Sequence, residues 1–276
     1  STVDGIVFFD VNGTIIFSND AAKMHLNVPN DDLNIMRDKL IELVNDNHES
    51  LRDIASKKYS CHFERNGNKY VWEVEYHKLF DGNGKNIGGF VKIHDHTEAY
   101  IKLEQERYRS MYDTLTGIYN KEYFYQQVRN TLDSNVDTDY LAIASDIKEF
   151  KLVNDRYGRD AGDGVLKKIA EEIRKIPGKD NVFGRLGVDR FAILIRKEDF
   201  DEETLLNAIA HVPALQIDTI YPIVIHSGIY EIESKDLRES VIFDRALLAI
   251  KEIKDRYNLS SILNINMKNK KAHESF

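Results

Sequence analysis

One carboxylate in the second half of the chain lies where a chemical role is expected. Asp146 interrupts the apolar run from Tyr140 to Ile147 near its carboxyl end. Burying an ionised carboxylate in a strand is costly unless a cation or hydrogen-bond donors face it, so this residue is expected to belong to a functional site. A structural salt bridge is the alternative explanation.

A polar segment interrupted by glycines follows the same apolar run. It contains Asn154 and the triplet Gly162-Asp163-Gly164, and it leads into apolar residues at helical spacing from Leu166 to Ile176. The Asp163 carboxylate has two interpretations at this point. It binds a ligand, or it caps the amino terminus of the helix.

Composition and charge restrict the class of protein. Of 276 residues, 42% are hydrophobic, which is enough to fill the cores of two modest domains. The net charge of −8 argues against a nucleic-acid duplex as a partner. Cys61 is the single cysteine and cannot close a disulfide within the chain, and no apolar run is long enough to span a membrane. We therefore expect a cytoplasmic protein with no membrane segment in this chain.

The first third of the chain alternates between strand and helix signals. Two short β runs are followed by helical patterns and then by three longer β runs. The predicted elements are strands at Gly5 to Phe9 and Thr14 to Phe17, helices at Ala21 to Leu26 and Leu33 to Val44, and strands at Tyr59 to Arg65, Lys69 to Leu79 and Ile87 to His94.

That order, with the turn Asp10-Val11-Asn12-Gly13 and the closing Asp95-His96-Thr97-Glu98, resembles a PAS sensor domain over residues 1–98. The resemblance implies an antiparallel sheet with flanking helices around a small pocket, whose ligand stays unassigned. Cys61 is in a predicted strand and not in the helical Asn-Cys motif of flavin-binding relatives. Five histidines are more simply explained as packed or solvent-facing side chains than as haem ligands: His25, His48, His62, His77 and His94.

Residues 99–116 contain neither glycine nor proline, and Ile101, Tyr108 and Leu115 recur every seven positions. The pattern predicts a signalling helix that joins two domains and pairs with its copy in a homodimer. Two heptads are too short to distinguish this arrangement from a plain packed helix, which is the alternative.

Five blocks in the second half, in order and at characteristic spacing, resemble GGDEF domains. They are Asp113 to Asn120, Asp146 to Lys151, Asn154-Asp155, Gly162-Asp163 and Arg185 to Phe191. The resemblance implies a nucleotide-cyclase or palm-like sheet with helices over residues 117–265. It also implies a C-terminal connector over residues 266–276, of the kind that leads into an EAL phosphodiesterase domain. The whole chain is then an α+β protein. Active members of the family join two GTP molecules into cyclic di-GMP across a dimer.

The resemblance also assigns roles to individual residues. Asp146 and Asp189 match the carboxylates that hold Mg²⁺. Asn154 and Asp163 match the pair that reads the guanine edge. Two lysines match phosphate-binding positions, with a solvated side chain as the alternative at each: Lys151 and Lys251.

The hairpin that carries the family's Gly-Gly-Asp-Glu-Phe signature reads Gly187-Val188-Asp189-Arg190-Phe191 in this chain. A β-branched Val188 resists the positive φ that a second glycine allows, and Arg190 replaces a carboxylate and changes the local charge by two units. No intact catalytic set is therefore expected. Further departures are Lys148 for an aspartate, Arg159 for a histidine, Asp255 for an arginine, and the lack of the Arg-x-x-Asp product-inhibition motif at residues 178–181.

These departures favour a regulatory domain that binds GTP, with Mg²⁺ as the expected cofactor, and turns it over slowly or not at all. Two alternatives stay open. One is a weakly active diguanylate cyclase, which converts two GTP into cyclic di-GMP and two pyrophosphate. The other is a scaffold that binds no nucleotide and only dimerises and transmits a signal.

Overall fold

The computed structural model describes residues 3–28, 32–43, 50–210, 223–251 and 260–264. The chain divides into two compact units, residues 1–106 and 107–276, and each is described by itself. Within the described ranges, no helix is both long enough and apolar enough to cross a membrane. The connector predicted over residues 266–276 lies outside the described residues.

The first unit is a five-stranded antiparallel sheet with helices inserted after its second strand. Its strands follow the order β2-β1-β5-β4-β3. The predicted order of two strands, helices and three strands is confirmed, with bounds that shift by at most one residue. The elements are β1 (Gly5–Phe9), β2 (Ile15–Ser18), α1 (Asp20–Leu26), α2 (Leu33–Leu43), β3 (Lys58–Arg65), β4 (Asn68–Phe80) and β5 (Asn86–Asp95).

Short-range hydrogen bonds explain how this unit begins. The Asp10 Oδ1 atom accepts bonds from the backbone N–H groups of Asn12 and Thr14, both at 2.9 Å, and Gly13 has a φ of 84° that favours glycine. Asn19 caps α1 by accepting a bond from the Ala22 N–H at 2.9 Å. The sheet and helices enclose a core that includes Met36, Leu40, Trp72, Val74 and Tyr76.

Helix α3 (Thr97–Met111) is shorter than the predicted helix over residues 99–116. A turn replaces its last part, because the Asp113 carboxylate accepts bonds from the backbone N–H of Thr116 at 2.9 Å and from its hydroxyl at 2.6 Å. Gly117 follows with a φ of 68°, which a helix does not accommodate. Leu115 is therefore not part of a helical heptad.

The second unit has a central five-stranded sheet covered by helices. The strand order is β10-β9-β6-β8-β7, with β10 parallel to β9 and the other pairs antiparallel. The predicted strand Tyr140–Ile147 is confirmed without a shift. The elements are α4 (Lys121–Ser134), β6 (Tyr140–Ile147), α5 (Phe150–Tyr157), α6 (Arg159–Ile173), β7 (Val182–Arg185), β8 (Arg190–Arg196), α7 (Glu202–Ala210), β9 (Ile225–Glu231), α8 (Glu239–Lys251) and β10 (Ser260–Asn264).

Both faces of this sheet are buried, which explains why β6 is an almost continuous apolar run. Leu141, Ile143 and Ile147 pack in one core with residues of α5 and α6. Tyr140, Ala142 and Ala144 pack in a second core with residues of α4 and α8. Because side chains alternate along a strand, Asp146 belongs to the second series, on the side of α8.

Candidate functional site

Asp146 occupies the penultimate position of the central strand β6, with a basic residue beside it on each neighbouring strand. In the ladder of paired residues, Arg190 on β8 and His226 on β9 lie directly opposite it. Residues directly opposite each other across antiparallel strands share a face of the sheet. The sheet therefore forms a row of three polar residues at the end of β6.

The partner that the sequence requires for Asp146 is Arg190. The Arg190 Nε atom donates to the Asp146 Oδ1 atom at 3.4 Å. The side chains of Arg190 and Asp146 are 53% and 31% exposed, so this ion pair is accessible to water. An exposed pair of this length contributes only about 0.5 kcal/mol to folding. The Arg190 guanidinium therefore lies beside the Asp146 carboxylate, but the weak ion pair leaves the arginine side chain free to change rotamer.

The turn between β7 and β8 closes without unusual backbone angles. The Leu186 N–H donates to the Arg190 carbonyl at 2.9 Å, and the Ile147 N–H donates to the Asp189 carbonyl at 3.2 Å, which joins the turn to the end of β6. Neither Gly187 nor Val188 has a positive φ. The positive φ that Val188 resists is therefore not required in this turn. The Val188 side chain is 70% exposed and the backbone at this position suits any residue.

The Arg185 side chain stabilises this turn by hydrogen bonds to its backbone. Its Nε atom donates to the Gly187 carbonyl at 3.0 Å and its Nη2 atom donates to the Val188 carbonyl at 2.6 Å. Its Nη1 atom donates to the Asp113 Oδ1 atom at 3.0 Å. The Arg185 side chain is only 11% exposed, so these bonds compete little with water. The shape of the turn thus depends on a charge pair that spans 72 positions of sequence.

Asp113 is the anionic partner of Arg185. Burial alone raises the pKa of Asp113, but the hydrogen bonds from Thr116 and from Arg185 outweigh burial and hold the pKa below its ordinary value. The Arg174 Nη2 atom donates to the Thr116 carbonyl at 3.0 Å, which secures the same turn from α6. Sequence reasoning placed Asp113 and Arg185 in family blocks but assigned them no role, since contact between such distant positions has no signature in spacing.

Helices α5 and α6 bring Asn154 and Asp163 into one region. A Cβ atom added to Gly162 meets the Asn154 Oδ1 atom at 1.9 Å, so the glycine allows the amide to lie against α6. Helix α6 begins at Arg159, which places Asp163 inside the helix and excludes it as the N-cap. Asn154 therefore packs against the helix residue that precedes Asp163, and the guanine-reading role of the two side chains stays a prediction.

The other residues that the sequence singled out lie on or beside α5, α6 and α8, or outside the described residues. Lys151 is exposed in the first turn of α5. Lys148 directly follows β6, and its backbone N–H donates to the Val224 carbonyl at 2.9 Å. Arg159 is exposed at the start of α6. Lys251 is the last residue of α8, but its side chain lies outside the described residues, as does Asp255.

The side chains around Asp146 are poorly suited to a magnesium ion as they stand. A Mg²⁺ ion takes several oxygen ligands in an octahedral arrangement. Within residues 3–28, 32–43, 50–210, 223–251 and 260–264, no three His, Cys, Asp or Glu side chains are grouped to hold a metal ion. A divalent cation bound to Asp146 is also repelled by the neighbouring Arg190 guanidinium. The Mg²⁺ site predicted at Asp146 and Asp189 stays a prediction, and the Arg190 guanidinium beside Asp146 opposes it.

The first unit offers a cleft of about 440 Å³ and no described metal-binding cluster. The cleft is lined by Val3, Ala21, Met24, His25, Arg65, Tyr70, Trp72 and Asp95. Cys61 donates to the Leu43 carbonyl at 3.1 Å, and burial raises the pKa of its thiol, which makes it an inert side chain.

The histidines of this unit make ordinary polar or ring contacts. His25 lies 3.0 Å from the Val3 carbonyl, His62 packs edge-on against Tyr100, His77 pairs with Glu75 and His94 with Asp4, whereas His48 lies outside the described residues.

Comparison with known proteins relates the second unit to enzymes of cyclic di-GMP. The probable diguanylate cyclase DgcE of Escherichia coli K12 is 32% identical over 133 residues, 48% of this chain and 12% of that protein. The cyclic di-GMP phosphodiesterase PdeB of Shewanella oneidensis is 30% identical over 111 residues, 40% of this chain and 12% of that protein. This chain thus spans a small part of these relatives.

A solved structure supports the fold. The coiled coil and GGDEF domain of DgcB from Caulobacter crescentus, in complex with c-di-GMP, superposes with a TM-score of 0.50 at 19% identity. The match covers 60% of this chain and 92% of that chain. The family model described as diguanylate cyclase, GGDEF domain, matches residues 110–258, which is more than half of the sequence. The chain therefore belongs to the GGDEF-domain family of diguanylate cyclases.

Proposed function

We propose that this chain is a cytoplasmic signalling protein of the cyclic di-GMP pathway whose GGDEF domain binds GTP as a regulatory ligand with little or no turnover. The observation that carries the proposal is the Arg190 guanidinium beside Asp146. Joining two nucleotides requires that a hydroxyl be activated and the triphosphate be neutralised, which this family does with carboxylates and a metal ion. A cation placed against Asp146 opposes that chemistry.

The guanine side of the site supports binding. Asn154 packs against Gly162, the neighbour of Asp163 in sequence, which supports an amide and a carboxylate that act together on a base edge with both donors and acceptors. Lys151, exposed nearby along α5, is free of steric cover and suits a phosphate. These features favour GTP over ATP.

The first unit is proposed to be a PAS sensor that acts on this domain. Its strand order β2-β1-β5-β4-β3 and its inserted helices agree with the arrangement that the sequence resemblance implies. Helix α3 buries none of its own residues and exposes Ile101, Leu103 and Tyr108, which supports a homodimer formed through this helix. An EAL domain in the full-length protein is part of the proposal, and the similarity to part of a cyclic di-GMP phosphodiesterase is consistent with it.

Two measurements on the same preparation test the proposal. GTP and ATP are titrated by calorimetry, and cyclic di-GMP is quantified by mass spectrometry after incubation with GTP and MgCl₂. We expect GTP binding at least about tenfold tighter than ATP binding and no product above a double variant of Lys151→Ala and Asp146→Ala. Product well above that control contradicts the regulatory proposal, and GTP that produces no heat contradicts nucleotide binding.

A weakly active cyclase is the second candidate, and the unstrained hairpin turn favours it. Because Val188 does not distort the backbone, the altered signature retains the shape of a turn. The double variant Val188→Gly with Arg190→Glu separates the candidates. If Arg190 is the main obstacle, cyclic di-GMP synthesis rises in Arg190→Glu alone and Val188→Gly alone changes little. Equal activity in the wild type and the double variant places the defect elsewhere, for example at Lys148.

A further inference from the structure

Resting on the proposed GTP binding, we propose that Arg190 takes over the charge-neutralising role of a divalent cation, so that this domain binds a nucleoside triphosphate without metal. The ligand class is a guanine nucleotide in its metal-free form. The inference concerns how the triphosphate is held, and it is separable from whether GTP binds at all.

The charges around the end of β6 support this role. Asp146, Asp189 and Arg190 together carry one negative charge. With a glutamate at position 190, as in the family signature, the three side chains carry three negative charges, and a divalent cation returns that total to one. The substitution thus supplies, within the chain, the same charge that the metal ion supplies elsewhere in the family.

The position of the guanidinium agrees with the charge. Arg190 lies directly opposite Asp146 in the ladder between β8 and β6, with its Nε atom 3.4 Å from the carboxylate. Among the described contacts of Arg190, this bond uses Nε alone, so both terminal nitrogens of the planar fork remain available for phosphate oxygens. A guanidinium binds phosphate in a bidentate manner, with one N–H donor to each of two phosphate oxygens.

The pair is also exposed enough to open. With 53% of the Arg190 side chain accessible, the guanidinium reaches an incoming phosphate by a rotamer change and needs no movement of the backbone. The backbone itself stays in place because Arg185 bonds the carbonyls of Gly187 and Val188. A fixed turn that carries a movable cation is suited to anion binding.

The test measures binding with and without metal. A guanosine triphosphate analogue with a methylene group between the α and β phosphates resists cleavage, and its dissociation constant is measured by calorimetry in excess EDTA and in excess MgCl₂. For the wild type we expect the two constants to agree within about threefold. For Arg190→Glu we expect binding in EDTA to weaken at least about tenfold and MgCl₂ to restore most of it.

Arg238→Glu is the matched control, because it makes the same charge change at an exposed residue that precedes α8. Arg238 follows β9 in the chain, and the last residue of β9 pairs with Leu141. Leu141 lies at the opposite end of β6 from Asp146. We expect this variant to bind the analogue in EDTA as the wild type does. Arg190→Gln, with its unfolding temperature measured alongside, gives the same comparison if Arg190→Glu does not fold.

The outcomes separate the two proposals. Wild-type binding that requires MgCl₂ overturns the role of Arg190 and leaves GTP binding intact. No binding in either buffer overturns both. Arg190 variants that bind in EDTA as tightly as the wild type, or an equal loss in Arg238→Glu, also overturn the role of Arg190.

Discussion

The proposed guanine side and the hairpin side of this site are built by different means. Asn154 and Asp163 are positioned by two helices that approach closely around Gly162, where a single added carbon meets the Asn154 amide. The hairpin turn is positioned by hydrogen bonds from the Arg185 guanidinium to its backbone carbonyls. The side chains of Val188 and Arg190 are largely exposed. The guanine side depends on side-chain size, and the hairpin side does not.

This difference bears on the two departures within the hairpin signature, Val188 and Arg190. At a position held by close packing, a substitution changes geometry and function together. At the tip of a turn held through its carbonyls, a substitution changes charge and leaves the shape unaltered. Of the two altered signature residues, Val188 lies on the turn that Arg185 supports and Arg190 begins the strand that follows it.

Removing the Arg185 side chain that supports the turn is expected to cause the largest change, a loss of stability in the second unit. Arg185→Ala deletes the bonds to Gly187 and Val188 and leaves the partly buried Asp113 without its cation, so we expect the second unit to lose about 3 kcal/mol of unfolding free energy. Calorimetric unfolding measures this loss. Faster hydrogen exchange in residues 185–191 locates it.

The control for this prediction is Arg238→Ala, which removes an exposed arginine away from the turn. We expect its stability to change by less than about 0.5 kcal/mol. If Arg185→Ala and Arg238→Ala unfold alike, the turn is held by its own backbone and the proposed contrast is wrong.

Crowding the guanine side is expected to have an intermediate effect. In Gly162→Ala the new methyl group displaces the Asn154 amide, so GTP affinity should fall by about tenfold, or about 1.4 kcal/mol. Gly164→Ala is a close control two positions along the same helix, since nothing lies within 4 Å of a Cβ there. It should bind GTP normally and gain up to about 1 kcal/mol of stability from helix propensity. Equal affinity in both variants rules out Gly162 as the residue that sets Asn154.

The smallest expected effect concerns the charge of Asp113. Its pKa in the folded protein lies below the unfolded value of about 3.9, so its stabilisation is complete above that pH and is lost as pH falls through the folded pKa. Asp113→Asn should therefore cost about 1 kcal/mol at neutral pH and converge with the wild type in acid. Unfolding followed from about pH 6 to about pH 2 checks this, and a difference that persists in acid points to a steric cause.

The sequence predicted the parts of this fold that depend on local patterns. Strand β6 was delimited correctly because an apolar run bounded by polar residues has few other interpretations, and Asp146 stood out within it. The start of α6 was missed because glycines at positions 162 and 164 indicate a loop, whereas both lie inside the helix and Gly162 packs closely against Asn154. Tertiary contact overrides propensity at such positions.

The parts that depend on distant contacts were not predictable. Arg185 and Asp113 are separated by 72 positions, and His226 comes opposite Asp146 only because β9 pairs with β6. The end of α3 was misplaced for a related reason, since its heptad continues in sequence to Leu115 while the Asp113 turn stops the helix at Met111.

The way Arg185 holds the hairpin has an evolutionary consequence. Because residues far from the tip dictate the path of the main chain, codons at the tip are free to drift with little effect on folding. Substitutions at the tip are therefore expected to change the charge that the turn presents to a ligand while the domain still folds.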